Sequence, residues 1–274
     1  MERHPGMRVD EYREHGDYEA AERLARDEID ALRARHGPMA GELVPLLNEL
    51  GMIGKYRGDF EAAEHAYREA LAVCRYRGEV ASEDVASLLH NLAGLAHARG
   101  DPVAAEPIAR QGLAMRAKPE GPPALADRAA LAAILVDLNR LGEAEAILAE
   151  VLAEYVRLHG PVHFDVAVTL HNLGSLRFRD GRFDEAAQTL RRAFEMKRTI
   201  LGSDHPDLAI TLYNLARCAQ HRGDVDEAVA CFLRAMEILE PRVVPTHPTL
   251  VACRARLEDL RRGTGWHAME RVVR

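Results

Sequence analysis

The 274-residue chain is poor in aromatic residues and has no long apolar run. Aromatic side chains make up 5% of it, so alanine and leucine must build the core that its 47% hydrophobic content allows. No run approaches the roughly 18 apolar residues of a transmembrane helix. The charged start at Met1 also lacks the apolar region of a secretory signal. These absences predict a cytoplasmic protein that does not bind membranes.

Cysteines and basic residues are arranged in ways that exclude two further classes of protein. The four cysteines contain no CxxC pair, which argues against a zinc knuckle or a disulfide framework. The formal net charge of −7 argues against a nucleic-acid binder, because such binding needs clustered lysine and arginine. We therefore predict no nucleic-acid partner.

A residue suited to a left-handed turn returns along the chain at steps of 42, 42, 39, 42 and 42 residues. These turn residues are Gly16, Gly58, Gly100, Asn139, Gly181 and Gly223. Five residues after each stands an alanine: Ala21, Ala63, Ala105, Ala144, Ala186 and Ala228. Self-similarity at such a period predicts a solenoid in which each unit buries its apolar face against its neighbours.

One unit shows why this period produces pairs of helices. An apolar run over 166–176 predicts a first helix, with Asp165 placed to cap it. Gly181 supplies the left-handed residue that ends this helix, and a second amphipathic helix begins at Phe183. A short linker then leads to the next unit, where Asp207 is placed as the cap.

Small residues recur where the two helices of a unit should meet. At the eighth position of successive units stand Gly51, Ala93, Ala132, Gly174 and Ala216. These residues predict a close approach between the first helix and the alanine of the second. A bulky replacement such as Ala186→Leu should overpack the contact at a cost of about 1 to 3 kcal/mol.

Three motifs in each of two consecutive units resemble the 42-residue tetratricopeptide repeat of the kinesin-light-chain type. The motifs are Leu-His-Asn-Leu-Gly at 170–174, Gly-Arg-Phe-Asp-Glu-Ala at 181–186 and Gly-Ser-Asp-His-Pro-Asp at 202–207, with counterparts at 212–216, 223–228 and 247–249. The resemblance implies an all-α fold, a right-handed α-solenoid of antiparallel helix pairs. It also implies a non-enzymatic scaffold or adaptor that binds a peptide segment in its concave groove.

The repeat pattern divides the chain into seven predicted segments of one continuous solenoid. They are a truncated N-terminal capping repeat (1–36), repeats at 37–79 and 80–122, a degenerate repeat (123–161), repeats at 162–203 and 204–245, and a C-terminal capping helix with a tail (246–274). The degenerate repeat has Asn139 in place of the turn glycine. Trp266 in the tail is expected to pack over the final helix, and a homodimer through the terminal helices is the alternative.

The resemblance places the ligand against the first helices of the units. Asn91, Asn172 and Asn214 occupy one repeat position and are expected to hold the ligand backbone. The alternative is that these amides bridge neighbouring helices. The other predicted groove residues are Asn48, Glu49, Met52, Lys55, His90, His97, Ala130, Ala133, His171, Ser175, Phe178, Arg179, Tyr213, Arg217 and His221.

The charges and apolar residues of this wall predict the chemistry of the partner. Alanines make the middle of the groove apolar. The C-terminal half carries a positive excess from Arg179, Arg217, Arg256 and Arg262 against Asp259. We therefore expect a protein or peptide segment with an aliphatic anchor flanked by acidic residues.

Two alternative functions stay open at this point. Histidines near the wall suggest a metal-binding protein or an enzyme: they are His90, His97, His171 and His221. However, the first two lie two helical turns apart, about 10 Å, and no carboxylate partner accompanies them in the sequence. We therefore predict no catalytic residue, metal or cofactor. The other alternative is a stand-alone regulatory or accessory protein that acts on a separate effector.

Overall fold

The computed structural model describes residues 8–118 and 120–264, which form thirteen α-helices and no β-strand. The first helices of the units are α1 (Val9–Glu14), α3 (Leu43–Arg57), α5 (Glu83–Ala98), α7 (Pro122–Asp137), α9 (Phe164–Arg179), α11 (Asp207–Arg222) and α13 (Pro248–Thr264). The second helices are α2 (Tyr18–His36), α4 (Phe60–Tyr76), α6 (Pro102–Ala114), α8 (Leu141–His159), α10 (Phe183–Leu201) and α12 (Val225–Leu239).

Each helix packs on its neighbours in sequence, so the units stack in one direction. The first and second helices of a unit form the largest contacts, and each second helix also packs on the first helix of the next unit. The first helices from α3 to α13 touch one another in order and form one continuous wall. This arrangement confirms the predicted α-solenoid.

The turn between the two helices of a unit adopts the predicted left-handed conformation. Gly58 and Gly181 have φ values of 84° and 80°, and Asn139 has 60°. Asn139 is the only residue other than glycine with positive φ in the described part of the chain. Asparagine tolerates this conformation better than most residues, so the degenerate repeat keeps its helix pair.

The small residues on the first helices permit the predicted close packing. A β-carbon at Gly51 would lie 2.3 Å from Cε1 of Tyr67, and one at Gly174 would lie 2.6 Å from Cγ of Leu190. Tyr67 and Leu190 belong to the second helices of the same units and are fully buried. The space that a side chain would need at these two positions is therefore already filled.

Histidine, rather than aspartate, caps the first helices of two units. Nδ1 of His163 accepts the backbone N–H of Asp165 at 3.3 Å, and Nδ1 of His205 accepts that of Asp207 at 3.2 Å. The prediction that the two aspartates are the caps was wrong, because both lie inside the first helical turn. Their carboxylates still favour the positive end of the helix dipole there.

Two turns at the start of the solenoid contact two linkers near its end, and we call this pair of joints the closing contact. In one joint Nε2 of His205 lies 2.5 Å from the carbonyl oxygen of Glu14, and a β-carbon at Gly16 would lie 2.7 Å from Cδ of Pro206. The second joint consists of Gly58 against His247, with Val244 N–H donating to the carbonyl of Arg57 at 3.0 Å.

The two joints of the closing contact are equivalent in the repeat. Gly16 and His205 have the same sequence separation as Gly58 and His247. The superhelix thus returns onto its own first turn with a regular pitch. A cavity of about 290 Å³ lies at this contact and is lined in part by Tyr18, Tyr56 and Phe164.

In the part of the chain that the structure describes, no helix combines the length and apolar character that membrane crossing requires. Cys74, Cys218 and Cys253 are buried in the core, as expected of small apolar residues. Trp266 and the tail that follows it lie outside the described residues, as does any contact they make.

Candidate peptide-binding groove

All the predicted groove residues lie on the first helices, from α3 to α11. Asn48 to Lys55 belong to α3, His90 to His97 to α5, Ala130 and Ala133 to α7, His171 to Arg179 to α9, and Tyr213 to His221 to α11. Because these helices touch in order, their side chains follow one another along a single wall.

Two of the three repeated asparagines bridge neighbouring first helices. Nδ2 of Asn91 donates to Oδ1 of Asn48 at 2.8 Å, and Nδ2 of Asn214 donates to Oγ of Ser175 at 3.1 Å. Each amide has a second N–H and a carbonyl oxygen outside these bonds, but Asn91 itself is buried. Asn172 makes no side-chain hydrogen bond within the described residues, so its amide is the most available of the three.

Two groove histidines have carboxylate partners on the next first helix. Nδ1 of His90 lies 2.7 Å from Oδ1 of Asp127, and Nε2 of His97 lies 2.7 Å from Oδ2 of Asp137. Burial of Asp127 favours its neutral form, but hydrogen bonds from His90 and Arg116 hold the pKa of this carboxyl below its ordinary value. The expectation that no carboxylate accompanies these histidines was therefore wrong.

Sequence reasoning missed Asp127 and Asp137. Asp127 stands at the repeat position that Thr169 and Thr211 occupy in later units, and that difference was a readable signal. The two histidine–aspartate contacts lie on the wall between α5 and α7, where the sequence predicted an apolar surface. The middle of the groove is therefore more polar than its alanines indicated.

His171 is held neutral by its surroundings. Its Nδ1 lies 3.0 Å from Oγ1 of Thr211. Burial, with a smaller contribution from the charge of Lys197, lowers the pKa of His171 to about 3. A neutral imidazole that already uses one nitrogen serves packing between α9 and α11 rather than proton transfer at neutral pH.

Aromatic rings support a cation at the C-terminal end of the wall. The guanidinium carbon of Arg217 lies 4.1 Å from the ring centre of Phe178 and 5.7 Å from that of Tyr213. His221 stacks on Phe183 with ring centres 4.2 Å apart. Burial lowers the pKa of Arg217, which shows that its charge is partly desolvated. A guanidinium stays protonated even so.

Three arginines at this end form no ion pair within the described residues: Arg179, Arg217 and Arg256. Arg217 and Arg256 line a cavity of about 190 Å³ with Gln220 and His221. Elsewhere most arginines are paired, as Arg13 is with Glu49 at 2.8 Å. Arg262, which the sequence analysis counted with the groove cations, pairs with Glu258 and is neutralised.

The N-terminal end of the wall has the opposite character. A cavity of about 480 Å³ lies between α1, α3 and α5, and Asn48 and Glu49 are part of its lining. The acidic residues of this cavity, Asp10, Glu28, Glu49 and Asp84, outnumber its one basic residue, Arg8. The two ends of the wall therefore differ in the sign of their charge.

Lys55 lies on α3, about two helical turns beyond Asn48. Its Nζ lies 2.6 Å from the position that a β-carbon would take at Gly94 on α5, so the glycine provides the space for the lysine. Burial lowers the pKa of Lys55, although the charge of Asp207 opposes this effect.

Comparison with known proteins agrees with this geometry. Residues 42–118, 124–199 and 165–241 match the sequence profile of the tetratricopeptide repeat, which covers more than half of the chain. The chain therefore belongs to the tetratricopeptide repeat family. The solved structures that it resembles include kinesin-light-chain-like repeat proteins, which confirms the resemblance stated from the sequence. No curated protein sequence matches the chain.

Three solved structures show how far the likeness extends. BtubC (BKLC) from P. vanneervenii is 27% identical, with 82% of this chain and 90% of that chain covered and a TM-score of 0.55. A Rap protein complexed with competence and sporulation factor is 16% identical, with 95% of this chain and 78% of that chain covered and a TM-score of 0.66. PilW, a type IV pilus biogenesis factor, is 18% identical, with 85% of this chain and 94% of that chain covered and a TM-score of 0.51. The last two share the fold alone.

Membership in this family defines the general class of the protein. Tetratricopeptide repeats form protein-interaction scaffolds, and the family is typically non-enzymatic. Fold alone does not name a ligand.

Proposed function

We propose that the wall of first helices binds a peptide segment of a partner protein, and that acidic residues of this segment contact the three unpaired arginines on α9, α11 and α13. The protein thus acts as a scaffold or adaptor. The Rap protein, with the same fold, is complexed with competence and sporulation factor, which makes a peptide-sized ligand a reasonable expectation for such a wall.

The observation that supports this proposal most strongly is that Arg179, Arg217 and Arg256 form no ion pair within the described residues. Asp137 is paired with His97, whose hydrogen bond lowers the pKa of this carboxyl most, and the charges of Arg179 and Arg217 only add to that effect. Arg179 and Arg256 are exposed, whereas Arg217 is half-buried, and a half-buried charge is costly unless it is paired. Arg217 is partly desolvated and rests on aromatic rings, so its guanidinium is held in one position with its N–H donors unused by carboxylates. Aspartate or glutamate of a ligand would supply the missing acceptors, and the planar fork of arginine suits a carboxylate.

The charge difference between the two ends of the wall supports a fixed orientation of the bound segment. Its acidic part would lie at Arg217, and a polar or basic part would lie at the cavity beside Glu49. Ala130 and Ala133 on α7 lie between these ends, and an aliphatic anchor of the segment would pack against their small side chains. Complementary charges would steer the encounter and exclude the reversed orientation.

Selection from a random peptide library tests the proposal without knowledge of the natural partner. The purified chain is used as bait, and a second selection uses the Arg179→Glu/Arg217→Glu variant. We expect the native chain to enrich peptides with two or more acidic residues next to an aliphatic one, and the variant to lose that enrichment. Equal enrichment by both baits, or no acidic preference, would refute the proposal.

A further inference from the structure

Two histidines and an aspartate meet in the linker between α8 and α9, away from the groove site. His159 is the last residue of α8, His163 is the N-cap of α9, and Asp165 lies in the first turn of α9. The two imidazole rings are stacked with centres 4.1 Å apart. Oδ2 of Asp165 lies 3.5 Å from Nδ1 of His163 and 3.9 Å from Nε2 of His159.

Only the linker between α8 and α9 carries all three of these residues at the corresponding repeat positions. The residue at the end of the second helix is His36 after α2, His159 after α8 and Leu201 after α10. The linker after Leu201 keeps the histidine and aspartate of the signature but lacks the first ligand. The linker after His36 has Ala40 at the position of His163 and Glu42 at that of Asp165, so it lacks the second histidine. The repeat signature accounts for His163 and Asp165, but it does not account for a second histidine stacked on the first.

We propose that His159, His163 and Asp165 bind a divalent transition-metal ion such as Zn²⁺. One ligand atom from each residue lies within 4.8 Å of the other two. Bonds of about 2.0 to 2.2 Å to one ion require the atoms to be roughly 3 to 3.5 Å apart. Small side-chain rotations of the half-exposed His159 and Asp165 would bring the ligand atoms to this separation.

The donor set selects the kind of ion. Two imidazole nitrogens and one carboxylate oxygen suit zinc and its neighbours among the transition metals, whereas Mg²⁺ and Ca²⁺ prefer oxygen ligands alone. Three protein ligands leave a coordination position for water. When the ion binds, Nδ1 of His163 would give up the 3.3 Å hydrogen bond that it accepts from the backbone N–H of Asp165 and would bind the metal instead.

Such an ion would join the end of the degenerate repeat to the start of the next one. His159 belongs to the second helix of the degenerate unit, and Asp165 to the first helix of the following unit. A bound ion would therefore restrict the angle between these two units. Its binding does not depend on whether a peptide occupies the groove.

Zinc titration of the full chain, purified without a histidine tag and stripped with a chelator, tests this proposal. Calorimetry with ZnCl₂ at pH 7.5 is expected to give one ion per chain. His159→Leu reproduces the residue found at Leu201 and so should fold normally. It is expected to weaken binding about tenfold or more, because loss of a ligand costs at least as much as loss of a second-shell partner.

His36→Leu is the matched control, because it removes a histidine from the same repeat position in a linker that has Ala40 in place of the second histidine. It should leave zinc binding unchanged. Co²⁺ in place of zinc should give visible absorption bands that His159→Leu abolishes. The absence of stoichiometric binding by the native chain, or equal affinity in His159→Leu, would overturn the proposal.

Discussion

The imidazole of His205 joins the two ends of the solenoid. Its Nε2 lies 2.5 Å from the carbonyl oxygen of Glu14, 191 residues away in the sequence, while its Nδ1 accepts the amide N–H of Asp207 at 3.2 Å. Nε2 must donate and Nδ1 must accept, so one neutral tautomer satisfies both bonds. A histidine that caps the first helix in two of the units thus acquires a second role where the superhelix returns onto its first turn.

Replacement of His205 by alanine should cost more stability than the same change at His163. Both histidines cap a first helix, but among the described residues His163 has no hydrogen bond to the first unit, whereas His205 has one to Glu14. The difference in the free energy of unfolding should be about 1 kcal/mol, the typical net contribution of one hydrogen bond. Urea denaturation in the presence of a chelator measures it. Equal losses in the two variants would show that the His205–Glu14 bond does not contribute.

Stability should fall as the pH is lowered from about 6.5 toward 4. Burial lowers the pKa of His171 to about 3 and that of His247 to about 4, below the ordinary value of 6.5. The unfolded chain therefore binds protons that the folded chain excludes in this range. Each histidine contributes a loss of at most about 1.4 kcal/mol per pH unit.

Urea denaturation at several pH values measures this dependence. His171→Gln should flatten the slope between pH 5 and 6.5, whereas His36→Gln, which removes an exposed histidine, should leave it unchanged. A native slope near zero in this range would contradict the burial of these imidazoles.

Alanine at Gly174 should destabilise the fold, although alanine is the better helix former by about 1 kcal/mol. Its β-carbon would lie 2.6 Å from Cγ of Leu190, so overpacking of about 1 to 3 kcal/mol outweighs the gain in propensity. Gly142→Ala on α8 is the control, because no atom lies within 4 Å of the new β-carbon. Thermal unfolding should separate the two variants. A neutral Gly174→Ala would mean that the helix pair is looser than described.

The sequence predicted the features that each unit determines by itself. Gly181 and Asn139 marked the turns because a left-handed residue is needed wherever a second helix folds back on a first. Gly174 marked the close contact because a small residue stands at the same distance in sequence before the turn residue in successive units. These relations are local, and they recur in every unit.

Features that depend on the relation between units were not predicted. The closing contact between Gly58 and His247 depends on the superhelical pitch, which sums small rotations over several repeats. The pair of His90 and Asp127 depends on how far one first helix is rotated against the next. Aspartate is among the commonest N-cap residues in proteins, so the capping role of His163 was assigned to Asp165.

The affinity of an enriched acidic peptide for charge-reversed variants tests the central claim most directly. The matched control is Arg75→Glu/Arg192→Glu, which reverses two exposed arginines on second helices that form no ion pair within the described residues. Arg256→Glu provides a third variant that leaves the packing of Arg217 on Phe178 intact.

Fluorescence anisotropy at low salt should show a loss of about tenfold or more for Arg179→Glu/Arg217→Glu, because close charge pairs at interfaces couple by roughly 1.5 to 7 kcal/mol. Arg256→Glu should also weaken binding, and the control should bind as the native chain does. Equal affinity in the groove variants and the control would contradict a groove that recognises acidic segments.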